Sequence, residues 1–168
     1  FSLTGRRALV TGASRGIGQA LAIGLARAGA DLVLTARDTG SLRDTARSIA
    51  DLGRKAECIA CDQSRTDRIE AVLGDLGALD ILINNAGHEE IRASEDVDEA
   101  LWDRIVDTNL KGAFFTARTV ARPMLARGRG VIINLASLTS FVGVPTAVPY
   151  GASKSGVRSA LHGVISAG

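Results

Sequence analysis

The sequence predicts an α/β fold of three layers, a parallel sheet with helices packed on both faces. Two observations carry this. Short apolar runs such as Asp31-Leu32-Val33-Leu34-Thr35 and Val131-Ile132-Ile133-Asn134-Leu135 recur along the chain. They are continuous rather than alternating, as strands covered on both faces are. Helical patterns separate them, and strand–helix alternation selects parallel strands joined by crossover helices.

The first strand is Ala8-Leu9-Val10, followed by Thr11-Gly12-Ala13-Ser14-Arg15-Gly16-Ile17-Gly18. That run opens a helix whose apolar positions are Ile17, Ala20, Leu21, Leu25 and Ala28. A strand, a glycine-rich turn and a helix in this order form a phosphate cradle. The helix N-terminus presents unpaired N–H groups and a partial positive charge, and glycine lets the backbone turn tightly and a ligand come close. The spacing is G-x-x-x-G-x-G. Gly29 ends the helix, and Asp31–Thr35 is the second strand. Ser41 and Asp44 suggest a capping box for a helix carrying Leu42, Ile49 and Leu52, closed by Gly53. Residues 56–61 form the third strand, and Thr66 caps a short helix running to about Leu76. Leu79-Asp80-Ile81-Leu82-Ile83 is the fourth strand. A long helix is expected from Glu99 to Leu125, weakened at Gly112 and Pro123. Val131–Leu135 is the fifth strand, and a final helix begins near Tyr150.

The 168 residues suggest one domain, 1–168, with room for a core. Aromatic residues make up 4% and the net charge is +2, with Lys and Arg scattered, so a nucleic-acid partner is not expected. No apolar run approaches membrane-spanning length and no signal-like segment opens the chain, which points to a reducing, cytoplasmic setting. Cys58 and Cys61 form a C-x-x-C within a strand rather than at a helix N-terminus, and no second ligand pair accompanies them. They read as core residues, with neither a redox nor a metal role. His88-Glu89-Glu90 lacks a second histidine at the spacing a zinc protease needs, so no metal site is expected.

Taken together, the glycine run, Asp62, Asn84-Asn85-Ala86-Gly87, Asn109, Ser137 and Tyr150-Gly151-Ala152-Ser153-Lys154 resemble the short-chain dehydrogenase/reductase family across nearly the whole chain. The resemblance implies a Rossmann-type doubly wound sheet and hydride transfer with a nicotinamide dinucleotide. Elementary chemistry agrees. Tyr150 and Lys154 are four apart and share a helix face. A free phenol, with a pKa near 10, is a poor base at neutral pH, and a nearby ammonium favours the phenolate. Tyr150 is therefore the expected proton donor and acceptor. Ser137, at a strand end where α/β sheets place ligands, is expected to polarise the substrate oxygen. The resemblance gives Lys154 a second role on the nicotinamide ribose and gives Asn109 a water that extends a proton relay.

The same resemblance assigns the cofactor cradle to Gly12, Ser14, Arg15, Gly16, Ile17 and Gly18. It assigns the adenine amino group to Asp62 and the wall beside the ribose to Asn85, Ala86 and Gly87. An acidic residue after the second strand would select NAD; here the turn reads Thr35-Ala36-Arg37. Arg37 and Arg15 suit the 2′-phosphate of NADP, with NAD the second choice because Asp38 follows at once. The stretch Ser137–Pro145 and the opening Phe1-Ser2-Leu3 are most similar to the branch acting on sugars and sugar acids, the gluconate- and deoxygluconate-type dehydrogenases. His88 or Arg92 would then meet a polar or carboxylated small molecule, or else belong to a solvated loop. Trp102 is expected in the core or at a subunit interface, and His162 on the surface or at an interface.

Two departures from the family pattern stand out. The segment from Asp62 to Asn84 is about one helical turn short. The chain also stops at Gly168, where family members continue, and the tail Arg158–Gly168 fits the usual helix poorly. Either the sequence omits residues, which leaves an enzyme, or the fold is C-terminally incomplete. This opens a rival of another class: a catalytically incomplete dinucleotide-binding protein acting as a sensor or interaction module. The resemblance implies assembly through two helices, one offering Phe114, Phe115, Val120 and Met124 and the other Ala152, Gly156, Val157 and Ala160. These would make a homodimer, or a homotetramer if residues beyond Gly168 exist.

Overall fold

The structure is a computed structural model and describes the backbone of residues 2–162 and the side chains of residues 2–160. Phe1 and the tail beyond His162, on which two of the sequence expectations fall, lie outside the described residues, as does the His162 side chain. The elements run β1 (Arg7–Thr11), α1 (Gly16–Arg27), β2 (Asp31–Ala36), α2 (Arg43–Asp51), β3 (Ala56–Ala60), α3 (Thr66–Leu73) and β4 (Ile81–Asn84). They continue α4 (Glu99–Val106), α5 (Ala113–Ala126), β5 (Val131–Asn134) and α6 (Val148–His162).

The five strands form one parallel sheet in the order β3-β2-β1-β4-β5. The expected doubly wound Rossmann-type architecture is present. Alternate residues of each strand feed two cores. Leu9, Val33 and Leu82 lie in register and pack with Ile69 and Leu73 of α3, Val120 and Met124 of α5 and Val157 of α6. Ala8, Val10, Leu32, Leu34 and Ile83 pack on the other face against Ala22 and Ala26 of α1 and Ile49 of α2. Each fully buried Leu or Ile contributes about 1.5–3 kcal/mol relative to an exposed one. Cys58 packs against the second cluster and Cys61 belongs to the first, so the two thiols face opposite layers. Burial pushes both thiols up from the ordinary value, which makes them less reactive.

Several local expectations are corrected. Ser41 does not cap α2. A 3₁₀ turn, Gly40–Leu42, precedes that helix, and the Asp38 carboxylate accepts the Ser41 N–H at 2.8 Å. Thr66 is the first residue of α3 rather than its cap, and the helix stops at Leu73, three residues early. The expected helix from Glu99 to Leu125 is interrupted by a π turn, Asp107–Gly112. The break ends at the anticipated weak point, Gly112, where a Cβ would overlap the backbone carbonyl of Gln63. Pro123, by contrast, sits inside α5. Trp102 is 39% exposed and so is not a core residue. Val120, Met124 and Val157, expected at a subunit contact, are buried in the protomer's own core.

Strand β1 lies between β2 and β4, so the chain leaves the sheet centre in opposite directions on either side of it. A crevice opens at the C-terminal ends of such strands, where α/β sheets bind ligands.

Candidate active site

A groove of about 1110 Å³ occupies that crevice. Its floor is the glycine turn. Gly12 adopts φ +65°, and a Cβ there would come within 2.9 Å of the Ala86 Cα. A Cβ on Gly18 would overlap the Gly12 carbonyl and the Asn85 side-chain amide. These glycines let β1, the turn and the segment after β4 close onto one another. The first turn of α1 has no acidic residue, so its N–H groups face the groove with their positive end uncompensated.

Asn85 and Thr11 lock this arrangement. Asn85 Nδ2 donates to the carbonyls of Thr11 at 2.9 Å and Gly12 at 3.1 Å. The Thr11 hydroxyl oxygen accepts from the N–H groups of Asn85 and Ala86, each at 3.0 Å. The sequence gives Thr11 no role of its own, although it heads the glycine run; in the structure it is the last residue of β1. Asn84 is another such residue: its Nδ2 donates to the Ala113 carbonyl and to Asn134 Oδ1, tying β4 to α5 and β5.

At one end of the groove stand Arg15 and Arg37, both exposed. Among the described residues neither makes an ion pair or a side-chain hydrogen bond. Asp38, which would oppose a phosphate, is turned to the Ser41 N–H and its charge is partly satisfied there. Asp62 lines the same groove; its Oδ1 accepts from the Ser64 N–H and hydroxyl, leaving the second oxygen for a ligand donor. The residue set fits a dinucleotide: a glycine cradle with no room for a Cβ, an uncompensated helix end, and two free guanidinium groups.

At the other end an inner pocket of about 260 Å³ brings together Ile17, Asn85, Gly87, Tyr150 and Lys154, with His88 and Glu89 at its wall. Lys154 is 5% exposed. Its Nζ donates to the Leu135 carbonyl at 2.7 Å and lies 5.7 Å from the centre of the Tyr150 ring. Burial pushes this amino group below the ordinary lysine range, and the Glu89 carboxylate pulls the other way. Asn109, 1% exposed, lies on the π turn. Its Oδ1 accepts from the His88 N–H at 2.7 Å, and its Nδ2 donates to the His88 carbonyl at 2.9 Å and to the Ser153 hydroxyl oxygen at 3.1 Å. Both amide donors are used, and one acceptor site on Oδ1 remains. The Ser153 hydroxyl in turn donates to the Tyr150 carbonyl, so Asn109 fixes the helix turn that carries Tyr150.

Ser137 lies beyond β5, and its Oγ accepts from the Thr139 N–H at 3.2 Å in a reciprocal cap with Ser140. It does not line the inner pocket itself, although its hydroxyl proton stays available. Arg92 pairs with Glu90, and Arg104 approaches the same carboxylate at 3.4 Å. Among the described residues no group of three or more His, Cys, Asp or Glu is placed to hold a metal ion. No helix among them is long and apolar enough to cross a membrane.

Comparison with known proteins agrees with this geometry. The family model described as short chain dehydrogenase matches residues 6–165. A gluconate 5-dehydrogenase of Gluconobacter oxydans is 42% identical over 98% of this chain and 66% of its own length. A solved chain from Sinorhizobium meliloti, provisionally described as a short-chain alcohol dehydrogenase, is 56% identical, with a TM-score of 0.88 over 93% of this chain and 64% of that one. A gluconate 5-dehydrogenase from Burkholderia cenocepacia, solved with NADP and tartrate, is 40% identical with a TM-score of 0.90, over 96% of this chain and 65% of that one. The chain thus spans just under two thirds of the length of these relatives.

Proposed function

We propose, from the premise that this chain belongs to the short-chain dehydrogenase family, that it transfers a hydride between NADP(H) and a secondary alcohol or ketone of a sugar or sugar acid. The observation that carries the reading is the pocket where Tyr150 and Lys154 meet, which shares Ile17, Asn85 and Gly87 with the glycine-floored groove. The nicotinamide, when bound, supplies or accepts the hydride. The chain's own residues handle the proton and the positioning. Tyr150 donates its phenolic proton to the developing alkoxide in reduction and recovers one in oxidation. The Lys154 ammonium, held by the Leu135 carbonyl, stabilises negative charge on the phenol oxygen and reaches the ribose side of the pocket. Asn109 braces Tyr150 through Ser153, and its remaining acceptor site can hold the first water of a proton relay. Ser137 supplies a hydroxyl to the substrate oxygen. Gly12, Ser14, Gly16, Ile17 and Gly18 cradle the cofactor, Asp62 takes the adenine amino group, and Asn85, Ala86 and Gly87 form the ribose wall.

Arg15 and Arg37 support NADP over NAD, because two unpaired guanidinium groups line the groove and suit a 2′-phosphate. NADPH is expected to bind at least tenfold tighter than NADH, a difference of about 1.4 kcal/mol. Arg37→Asp should erase or invert the preference. Nicotinamide fluorescence titration checks both, and equal affinities in the unmodified protein would refute the assignment. The rival reading, a non-catalytic sensor, draws no support from the Gluconobacter, Sinorhizobium and Burkholderia relatives, each named for a dehydrogenase activity.

Assembly as a homodimer, or a homotetramer, belongs to the same proposal. Ala152 and Ala160 on α6 are exposed, and Phe114 and Phe115 on α5 are only partly covered, which leaves surface for a two-fold contact once Val120, Met124 and Val157 are set aside. Sedimentation at micromolar concentration should show a species of twice the protomer mass or more. A well-folded monomer would count against the contact.

A further inference from the structure

On the reading of the groove as a dinucleotide site, the glycine turn must hold its N–H groups toward a diphosphate. A peptide unit is planar and trans, so its N–H points opposite to the carbonyl of the preceding residue. Whatever fixes the carbonyls of the turn therefore aims its N–H groups. The Gly12 carbonyl accepts from Asn85 Nδ2 at 3.1 Å, and the Ala13 N–H of the same peptide unit donates to the Thr35 carbonyl at 3.0 Å. The next unit, Ala13–Ser14, is held from a different element. Its carbonyl accepts from the Thr45 hydroxyl at 2.9 Å, and Thr45 is a fully buried residue of α2. No backbone N–H among the described residues reaches that carbonyl. At the other end of the unit, the Ser14 N–H has no acceptor among the described residues, and Ser14 lines the groove. Arg15 follows as the N-cap of α1 and makes no side-chain cap bond.

A hydroxyl has one proton to give and lone pairs to accept with. The Thr45 proton goes to Ala13, and its oxygen accepts from Gln19 Nε2 of α1 at 3.1 Å. A threonine in a helix commonly turns its hydroxyl back onto its own preceding turn. Thr45 instead reaches a residue 32 positions earlier in the chain. We propose that Thr45 is a positioning residue for cofactor binding: its hydroxyl sets the Ala13–Ser14 peptide so that the Ser14 N–H meets a diphosphate oxygen. Thr45 does not line the groove, so it acts through the turn and not on the cofactor. The same helix follows the segment that brings Arg37, Asp38 and Ser41 to the groove. Its bond to Ala13 therefore also registers the guanidinium end of the site against the glycine turn.

The test titrates NADPH by nicotinamide fluorescence into variants first shown to be folded by a cooperative urea transition. Thr45→Val keeps the branched shape and loses the hydroxyl, and should weaken NADPH by about tenfold, the loss of a hydrogen bond to a charged group. Thr45→Ala makes the same loss without crowding the site and should agree with it. Thr45→Ser restores the hydroxyl and should return the affinity to within about threefold of the unmodified protein. Gln19→Leu cuts the tie between α1 and α2 but leaves Thr45 on the Ala13 carbonyl, and should also stay within about threefold. Unchanged affinity in Thr45→Val or Thr45→Ala would overturn the inference, because the turn would then need no such hold. So would a Thr45→Ser variant that stays weak, or a loss in Gln19→Leu as large as in Thr45→Val, since helix packing and not the hydroxyl would be at work. Loss of the urea transition in both Thr45→Val and Thr45→Ala would assign Thr45 to the fold and overturn it as well. If the unmodified protein binds no NADPH, the dinucleotide reading falls; if it binds and Thr45→Val binds equally, only the role of Thr45 falls.

Discussion

Tyr150→Phe is expected to lower turnover by about 10²–10⁴-fold, the range that positioned general acid–base groups supply, while leaving NADPH affinity within about twofold. The substitution removes one hydroxyl and keeps the ring that lies beside the Lys154 ammonium. The brace behind Tyr150 also survives, because it uses the backbone carbonyl of residue 150 and not its side chain. Loss of turnover without loss of fold or cofactor would therefore isolate the proton step. Nicotinamide titration and steady-state rates on the same preparation check it, and near-normal turnover in the variant would remove Tyr150 from the mechanism. Asn109→Ala should differ in kind. It strips partners from the His88 backbone and the Ser153 hydroxyl, so stability would fall together with activity.

The sheet was legible in the sequence because its strands are covered on both faces. Leu9, Val33 and Leu82 must meet one helical layer while Val10, Leu34 and Ile83 meet the other, so no polar alternation interrupts them. Strand ends came within about two residues of their true places, a normal margin for boundaries. What sequence spacing could not show is who satisfies a helix end. Ser41 has the right type for a cap, but the Asp38 carboxylate reaches its N–H first. The π turn under Asn109 was visible only as a glycine in a helix; the contact that demands the glycine comes from Gln63, about fifty residues earlier in the chain. Val120, Met124 and Val157 look alike whether they face a partner or the sheet, and only the packing shows that they face the sheet. The pairing of Tyr150 with Lys154 was the easiest feature to read, because residues one helical turn apart share a helix face, and both line the same pocket.

Lys154→Met should abolish turnover to at least the same extent as Tyr150→Phe, and should weaken NADPH binding as well, since the amino group lies beside the Tyr150 ring and beside Gly87, which the proposal gives to the ribose. Its effect on stability has the opposite character and a pH signature. In the folded protein burial holds the Lys154 amino group below the ordinary lysine range. The unfolded chain then carries the extra proton between the lowered value and the ordinary one. Stability rises with pH wherever the unfolded state binds more protons. The native protein should therefore bear the full cost of this buried charge at neutral pH and shed it as pH climbs through that alkaline window. Met fills a similar volume with no charge, so the variant should lack that rise. Met also leaves the Leu135 carbonyl without its donor, a cost of about 1–3 kcal/mol that does not vary with pH. The informative quantity is thus the slope and not the absolute difference. Urea unfolding of both proteins from neutral to alkaline pH should show a rise in the native protein that is missing in Lys154→Met. Parallel curves would mean that Lys154 is not desolvated in the free protein, and its charge would then stand in the pocket without a standing cost to the fold.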